Sequence, residues 1–467
     1  MRAADAATIL LLVAGTTSFL VGGYIVSLPG LDVVVKAPDR HVARALLIAM
    51  LRHALYRRPT VIERIRAGWQ RARTRWPVAT DVLPVALATR IGVLLVGYVA
   101  VATIGFEPGN PPMRFAVSEL RNLPVRWDAG WYIGIAIDGY NFAPDVRGWQ
   151  NVAFFPAYPM LVRAAGLFQF TWETAHVAAW TGVALSLVAF CLALVYVYRI
   201  ALQQGTPEAA HGAVLLLAAY PFAVYYSAPF TESLFLLAVS GAFYHQVSRQ
   251  FARAALWGLV AGLTRPNGIL VCVPLGIAAL RDGWAAYRDA PADARVARAA
   301  RAALPGLAAA ATPVVGVLVF SAVCWAYSGD PLLWVRAQRI GWDRPVRGIP
   351  SLWSQASELL SPSLAWTIGT RPYEVINYLA AVFALAACWP VARRVGIELA
   401  AFVAVSVLLP LVNGGFASVA RFTAVLFPVF LWLGLALPAR GREALAALFL
   451  LGQGVVAALF FTWRSMT

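Results

Sequence analysis

Residues 254–280 read AALWGLVAGLTRPNGILVCVPLGIAAL, an apolar run interrupted once, at Arg265-Pro266-Asn267-Gly268. A bilayer is crossed by about 20 apolar residues, each rising about 1.5 Å along a helix. One uninterrupted helix here would put its two ends on opposite sides of a membrane. Yet Arg253 precedes the run and Arg281 follows it, and arginines in short connections mark the cytoplasmic side. Two short half-helices meeting at the tetrad resolve the parity. Broken backbone at membrane depth is tolerated only where protein or a wet cavity satisfies it. The stretch therefore reads as part of a polytopic membrane protein and marks an internal, specialised point in it.

Composition supports this reading along the whole chain. Hydrophobic residues make up 60%, charged residues 13%, and the mean hydropathy is +0.69. A soluble domain carries about 25% charged residues, so a chain this apolar needs lipid over part of its surface. The net charge of +16 does not point to nucleic acid, because the arginines sit in short blocks between apolar runs and Lys36 is the single lysine. Cys191, Cys272, Cys324 and Cys388 are scattered through apolar runs without a CxxC pair. They read as small buried hydrophobes, not as a disulfide frame or a metal site.

Further candidate spans are 8–28, 81–104, 174–198, 212–227, 229–247, 305–327, 375–391, 396–412, 422–438 and 443–462. The expected fold is an all-α transmembrane bundle of about 11–12 spans. Run 8–28 is too long for a typical signal h-region and is expected to span or lie in the membrane. The arginine blocks at 40–76 and 281–303 are expected in the cytoplasm, so residues 1–79 form an apolar segment plus an Arg-rich cytoplasmic segment, and 80–467 the transmembrane domain. Loops 105–173 and 328–374 then lie outside. Both are rich in Trp, Tyr, Phe and Pro, the residues of ordered interfacial structure. Within the first, Trp127, Trp131 and Ile135 share a helical face that would lie flat on the membrane.

Several constellations could carry chemistry. Arg126-Trp127-Asp128, Trp131-Tyr132 and Phe154-Phe155-Pro156-Ala157-Tyr158 place an acid and a base among aromatic rings suited to the C–H faces of sugars. Asp128 reads as a general base for a sugar hydroxyl or as a helix N-cap; without any resemblance, capping is the stronger reading. Glu232 opens an apolar run at the hinge Tyr225–Leu234, either as a functional acid at a membrane helix end or as a partner of the helix dipole. Arg265 sits at the break. Arg336, with Gly329-Asp330-Pro331, Arg339, Trp342 and Arg344, and Arg421, after Asn413-Gly414-Gly415, run against the positive-inside trend. Phosphate binding explains such arginines, and pairing with lipid headgroups is the plainer alternative. No phosphate-binding glycine loop, zinc motif or nucleophile triad is present, so an activated group would have to come from a carrier other than a cytosolic nucleotide.

At these residues the sequence resembles the bacterial relatives of the PIG-V family, the second mannosyltransferases of glycosylphosphatidylinositol assembly, within the GT-C class of membrane glycosyltransferases. The matching pieces are Arg126-Trp127-Asp128, Gly139-Tyr140, Phe154-Phe155-Pro156, Ser227, Glu232-Ser233-Leu234, Arg265, Asn267-Gly268, Gly329-Asp330-Pro331 and Arg421-Phe422, from about Val82 onward. The resemblance implies a multi-pass protein of the cell membrane. It implies inverting transfer of a sugar, mannose in the family, from a polyprenyl-phosphate donor outside the cytoplasm, with Asp128 as base by position. Arg126, Arg336 or Arg421 would offset charge on the leaving phosphate. Trp131, Tyr132 and Tyr158 would pack around sugar, and Glu232 and Arg265 would help bind donor or acceptor. The expected partners are membrane lipid, the lipid-linked donor and a glycan, glycolipid or protein acceptor; neither a metal nor another cofactor is demanded. The rival readings are a lipid or sugar carrier without chemistry, which would show broken helices in both halves, and an assembly subunit with a lost active site.

Overall fold

A computed structural model of the chain describes residues 2–28, 31–56, 59–109, 112–342 and 348–464; Arg57, Arg58 and Arg344 fall outside them. The first apolar run forms α1 (Arg2–Val21) and ends sooner than hydropathy predicts. Gly22 and Gly23 take φ of +88° and +92°, left-handed values open to glycine at little steric cost. They turn the chain into an antiparallel hairpin of β1 (Tyr24–Leu28) and β2 (Leu31–Val35), with Tyr24 opposite Val35. This small hairpin is not expected from the sequence, and the chain around it is the all-α bundle that is.

The sequence predicts one cytoplasmic segment over 40–76, and the structure divides it. α2 (Pro38–Leu55) folds back along α1, so that Asp5 pairs with Arg52 at 3.0 Å and with Arg64. Arg40 and Arg44 therefore lie towards the β-hairpin end of α2, away from Arg52 and Arg64. α3 (Val61–Arg75) begins with a capping box: Thr60 N donates to Glu63 Oε2 (2.7 Å) and Glu63 N to Thr60 Oγ1 (3.1 Å). Trp76 separates it from α4 (Pro77–Thr103).

The remaining helices follow in chain order. The first long loop holds α5 (Glu119–Asn122), α6 (Ala129–Asp138) and α7 (Ala157–Ala165). Then come α8 (Ala175–Leu202), α9 (Pro207–Ala219), α10 (Glu232–Val247), α11 (Phe251–Thr264), α12 (Cys272–Arg288) and α13 (Arg295–Ser328). The second long loop holds α14 (Leu333–Arg336), α15 (Gly348–Glu358) and α16 (Leu364–Thr370). The chain continues through α17 (Pro372–Arg394), α18 (Ile397–Gly414), α19 (Val419–Thr423), α20 (Phe427–Ala436) and α21 (Ala439–Phe461).

Seven helical stretches of the described residues are long and apolar enough to cross a membrane, or eight if the pair Pro207–Ala219 and Pro221–Ser227, bent by 79°, counts as one span. That is fewer than the expected 11–12, and the reason is length: Phe251–Thr264, Ile397–Asn413 and Phe427–Ala436 are apolar but short. The chain is a multi-pass membrane protein.

Side-chain contacts sort the helix ends into two faces. On one face, Tyr198 at the end of α8 donates to Asp81 at the start of α4 (2.9 Å). Arg281 of α12 meets Glu398 of α18 (2.6 Å), and Arg442 of α21 donates to Glu208 O at the start of α9 (2.8 Å). The other face carries the far end of α4, the loop 105–173, the α11–α12 break and the end of α21. Between the faces, α10 is buried along almost its whole length. It is the central helix of the bundle, and its first residue is Glu232.

Candidate active site

Four segments far apart in sequence meet at one point on the second face. Trp127 sets the first. Its φ of +51° is a left-handed value, costly for a bulky residue and held only where the surroundings over-determine it. Its indole Nε1 donates to Phe460 O (3.1 Å), and its ring stacks on Trp463 at 5.0 Å. Beside it, Arg126 is wholly buried. It donates from Nε to Phe461 O (2.8 Å) and from Nη1 to Asn122 O (2.7 Å) and Val125 O (2.8 Å). Helix ends leave their last carbonyls unpaired, and Arg126 and Trp127 use those of α21 as an anchor. Burial lowers the Arg126 guanidinium to about 10, so it stays charged near neutrality.

The anchor aims Asp128. Asp128 occupies the N-cap position of α6, yet its side chain makes no capping hydrogen bond. Its Oδ2 instead accepts from Arg421 Nη1 at 2.5 Å, and a quarter of the side chain remains exposed. The capping explanation for this carboxylate is thereby removed. Arg421 also donates through Nε to Glu232 Oε1, so one guanidinium bridges both acids. Arg265, at the break between α11 and α12, donates from Nη2 to the same Glu232 oxygen at 3.0 Å. Glu232 is fully buried, and among the described residues its Oε2 has no hydrogen-bond partner.

Aromatic rings wall the cluster. Arg421 lies 4.7 Å from the Phe230 ring centroid and 5.0 Å from that of Tyr225; Arg265 lies over Phe235 and Phe422. These cation–π contacts help hold guanidiniums away from bulk water. Burial pulls the Arg421 guanidinium down, but Glu232 and Asp128 outweigh it, and the net shift is upward. Tyr132 borders the cluster, its hydroxyl 3.4 Å from Thr231 Oγ1 and its phenol raised by burial. Trp131 stacks on Phe154 at 5.8 Å and meets Trp342 edge-on at 5.5 Å.

Two supports place Glu232. The chain breaks at Tyr220-Pro221, where α9 gives way to the 3-10 turn Pro221–Ser227. Backbone carbonyls freed at such depth must find donors. Arg90, from the middle of α4, donates to Ala218 O (2.7 Å), to Ala223 O and to Ser227 Oγ (3.3 Å). Gln453 of α21 donates to Ala218 O (3.0 Å) and Tyr220 O (2.8 Å). Arg421 is fixed from the other side. Tyr220 hydroxyl meets Thr423 Oγ1 (2.7 Å), Tyr226 hydroxyl donates to Ala424 O (2.6 Å), and Asn377 Oδ1 accepts from Ala420 N (2.9 Å). At the break itself, a Cβ on Gly268 would collide with the Ala261 carbonyl.

Of the residues singled out from sequence, Asp128, Glu232, Arg265 and Arg421 come together, with Trp131 and Tyr132 at their border. Three stand apart. Arg126 is set back from the cluster as an anchor, with Nε and Nη1 on backbone carbonyls. Tyr158 is buried behind Tyr132, its hydroxyl occupied by Gly182 O (2.7 Å) and Ser186 Oγ (2.9 Å). Arg336 is held on the outer rim by Asp330 (2.7 Å) and Pro144 O (3.0 Å). Sequence reasoning missed Arg90 and Gln453. The signal was present for Arg90, an arginine in the middle of an apolar run. Among the described residues no group of three His, Cys, Asp or Glu side chains is arranged to hold a metal.

Residues 113–299 match the family model described as mannosyltransferase (PIG-V). The matched segment contains Asp128, Glu232 and Arg265 and ends before Arg421. No curated protein matches the chain. Among solved structures, it is similar to the Archaeoglobus fulgidus oligosaccharyltransferase complex with Zn and sulfate, at 15% identity and a TM-score of 0.43, covering 80% of this chain and 53% of that one. It is also similar to the archaeal oligosaccharyltransferase AglB from the same organism in complex with an inhibitory peptide and a dolichol-phosphate, at 14% identity and a TM-score of 0.41, covering 81% and 56%. The chain thus spans about half the length of the solved structures it matches.

Proposed function

We propose that this PIG-V-like glycosyltransferase is of the GT-C type and moves a mannosyl group from a polyprenyl-phosphate donor to an acceptor hydroxyl, with inversion, at the extracytoplasmic face. One observation carries the reading: the Asp128 carboxylate, released from helix capping, is held by Arg421 beside a buried acid, with part of its surface open. Asp128 takes the proton of the acceptor hydroxyl as its oxygen attacks the anomeric carbon, and the bond from that carbon to the phosphate oxygen breaks.

Charge bookkeeping favours this arrangement. Two carboxylates and two guanidiniums make the resting cluster neutral. Protonating Asp128 releases one arm of Arg421 just as the phosphate changes from a diester to a monoester and gains negative charge. Arg421 and Arg265 are thus positioned to meet charge as it develops, the condition for electrostatic catalysis. Trp131 and Tyr132 border the sugar, and Glu232 keeps both arginines aligned. In this reading guanidinium serves the leaving group and no metal or other cofactor is needed. The acceptor is a glycan, glycolipid or protein.

The test uses purified protein and radiolabelled polyprenyl-phosphate mannose. Wild type consumes the donor, while Asp128→Asn inserts normally and transfers nothing. Full activity in that variant ends the assignment of the base.

A further inference from the structure

α3 is tied to the rest of the protein at its two ends, by the Arg64–Asp5 pair to α1 at its start and by its junction with α4 at its end. It precedes α4, whose 27 residues rise about 40 Å and end before the loop that carries Asp128. α3 therefore lies at the face opposite the acid cluster. Its sequence is VIERIRAGWQRARTR. Ile65, Trp69 and Ala72 fall at i, i+4 and i+7, one helical face. Arg66 and Arg73 flank that face on one side; Arg64, Arg71 and Arg75 flank it on the other.

This apolar face is not turned into the protein. Ile65 is 65% exposed and Trp69 43%; Trp76, at the junction with α4, is 57% exposed. Among the described residues, no carboxylate lies within ion-pair distance of Arg66, Arg71, Arg73 or Arg75. Arg75 instead lies 5.0 Å from the Trp76 ring centroid. An apolar stripe with a central Trp, edged on both sides by unpaired arginines, is the pattern of a helix lying in the headgroup plane, its alkyl stems reaching along the apolar surface and its guanidiniums reaching phosphate. Such a cluster also favours an anionic over a zwitterionic surface.

We infer that α3 is a docking helix for anionic phospholipid in the leaflet opposite the acid cluster, with Ile65 and Trp69 in the acyl boundary and Arg66, Arg71, Arg73 and Arg75 on lipid phosphates.

The test places the full chain in nanodiscs of phosphatidylcholine, with or without about 30% phosphatidylglycerol. Thermal unfolding and native mass spectrometry then report stabilisation and retained lipid. Wild type is expected to gain stability and hold phosphatidylglycerol, with the gain fading at high salt. A variant with all four arginines changed to Gln should bind phosphatidylglycerol at least about tenfold more weakly. The corresponding Lys variant should keep the effect, and Arg288→Gln with Arg298→Gln should leave it unchanged. Equal phosphatidylglycerol dependence in wild type and the Gln variant overturns the proposal. So does the absence of any dependence in wild type. Should the Gln variant not insert, loss of the wild-type effect on adding salt still decides between charge-based docking and none.

Discussion

Asp128 and Glu232 are both carboxylates touching Arg421, but their surroundings divide their tasks. Glu232 has no contact with solvent and compensates two guanidiniums; Asp128 keeps an open side. Removing one partner of a buried ion pair costs about 3–5 kcal/mol, because the remaining charge is stranded. Glu232→Gln is therefore expected to lower the unfolding temperature of the purified protein strongly. Asp128→Asn should lower it less, since Asp128 keeps an open side and Arg421 retains Glu232 as a partner when that pair is cut. Equal shifts in the two variants would show that this division is mistaken. Arg126 makes a different prediction. It touches no reacting group in the proposed chemistry, yet it fixes the residue before Asp128. Arg126→Ala should cut turnover by about 100-fold through misplacement of the carboxylate, with donor affinity largely kept. Arg126→Lys should not restore it, because one ammonium does not reproduce a planar fork spread over three carbonyls. Steady-state kinetics separating kcat from KM checks both.

At the scale of elements, the break after α9 is the point on which the site turns. Arg90 and Gln453 supply donors to the carbonyls it frees, and that turn delivers Glu232 to the head of α10. Arg90→Met should take the Arg90 donor from the Ala223 carbonyl and leave the Ala218 carbonyl with Gln453 alone, at about 1–3 kcal/mol for a group left unsatisfied. The expected result is a lower unfolding temperature together with lost activity, and an unchanged melting curve would rule the support out. The break at Arg265-Pro266-Asn267-Gly268 was legible in the sequence because proline and a charge interrupt an apolar run. The turn at Tyr220-Pro221 was legible only as a hinge, since its partners Arg90 and Gln453 lie more than a hundred residues away. The meeting of Asp128 with Arg421 was hidden for the same reason: no local pattern reports a contact across 293 positions. The β-hairpin was missed because Tyr24–Leu28 extends the hydropathy of α1, and only Gly22-Gly23 signalled the turn. The division of 40–76 was missed because the arginines of α2 look like those of α3, although α2 packs along α1 and α3 does not.

The whole molecule offers a test of sidedness. Arg147 lies well exposed in the loop that carries Asp128, and Arg394 lies exposed at the end of α17, on the other face. A membrane-impermeant maleimide should label Arg147→Cys in intact cells and Arg394→Cys only after permeabilisation. The reverse pattern would turn the proposed site towards the cytoplasm. The long-range ties described for Arg126 and Trp127 also bear on biosynthesis. Their anchor is the final turn of α21, and the arginine bridging the acids lies only forty residues before that turn. While the ribosome is still threading the later helices into the bilayer, the loop with the carboxylate has nothing to clip onto and no cation to face. On the proposed activity, competence would then arrive only once α21 is in place, and a chain inserted short of it would be inert.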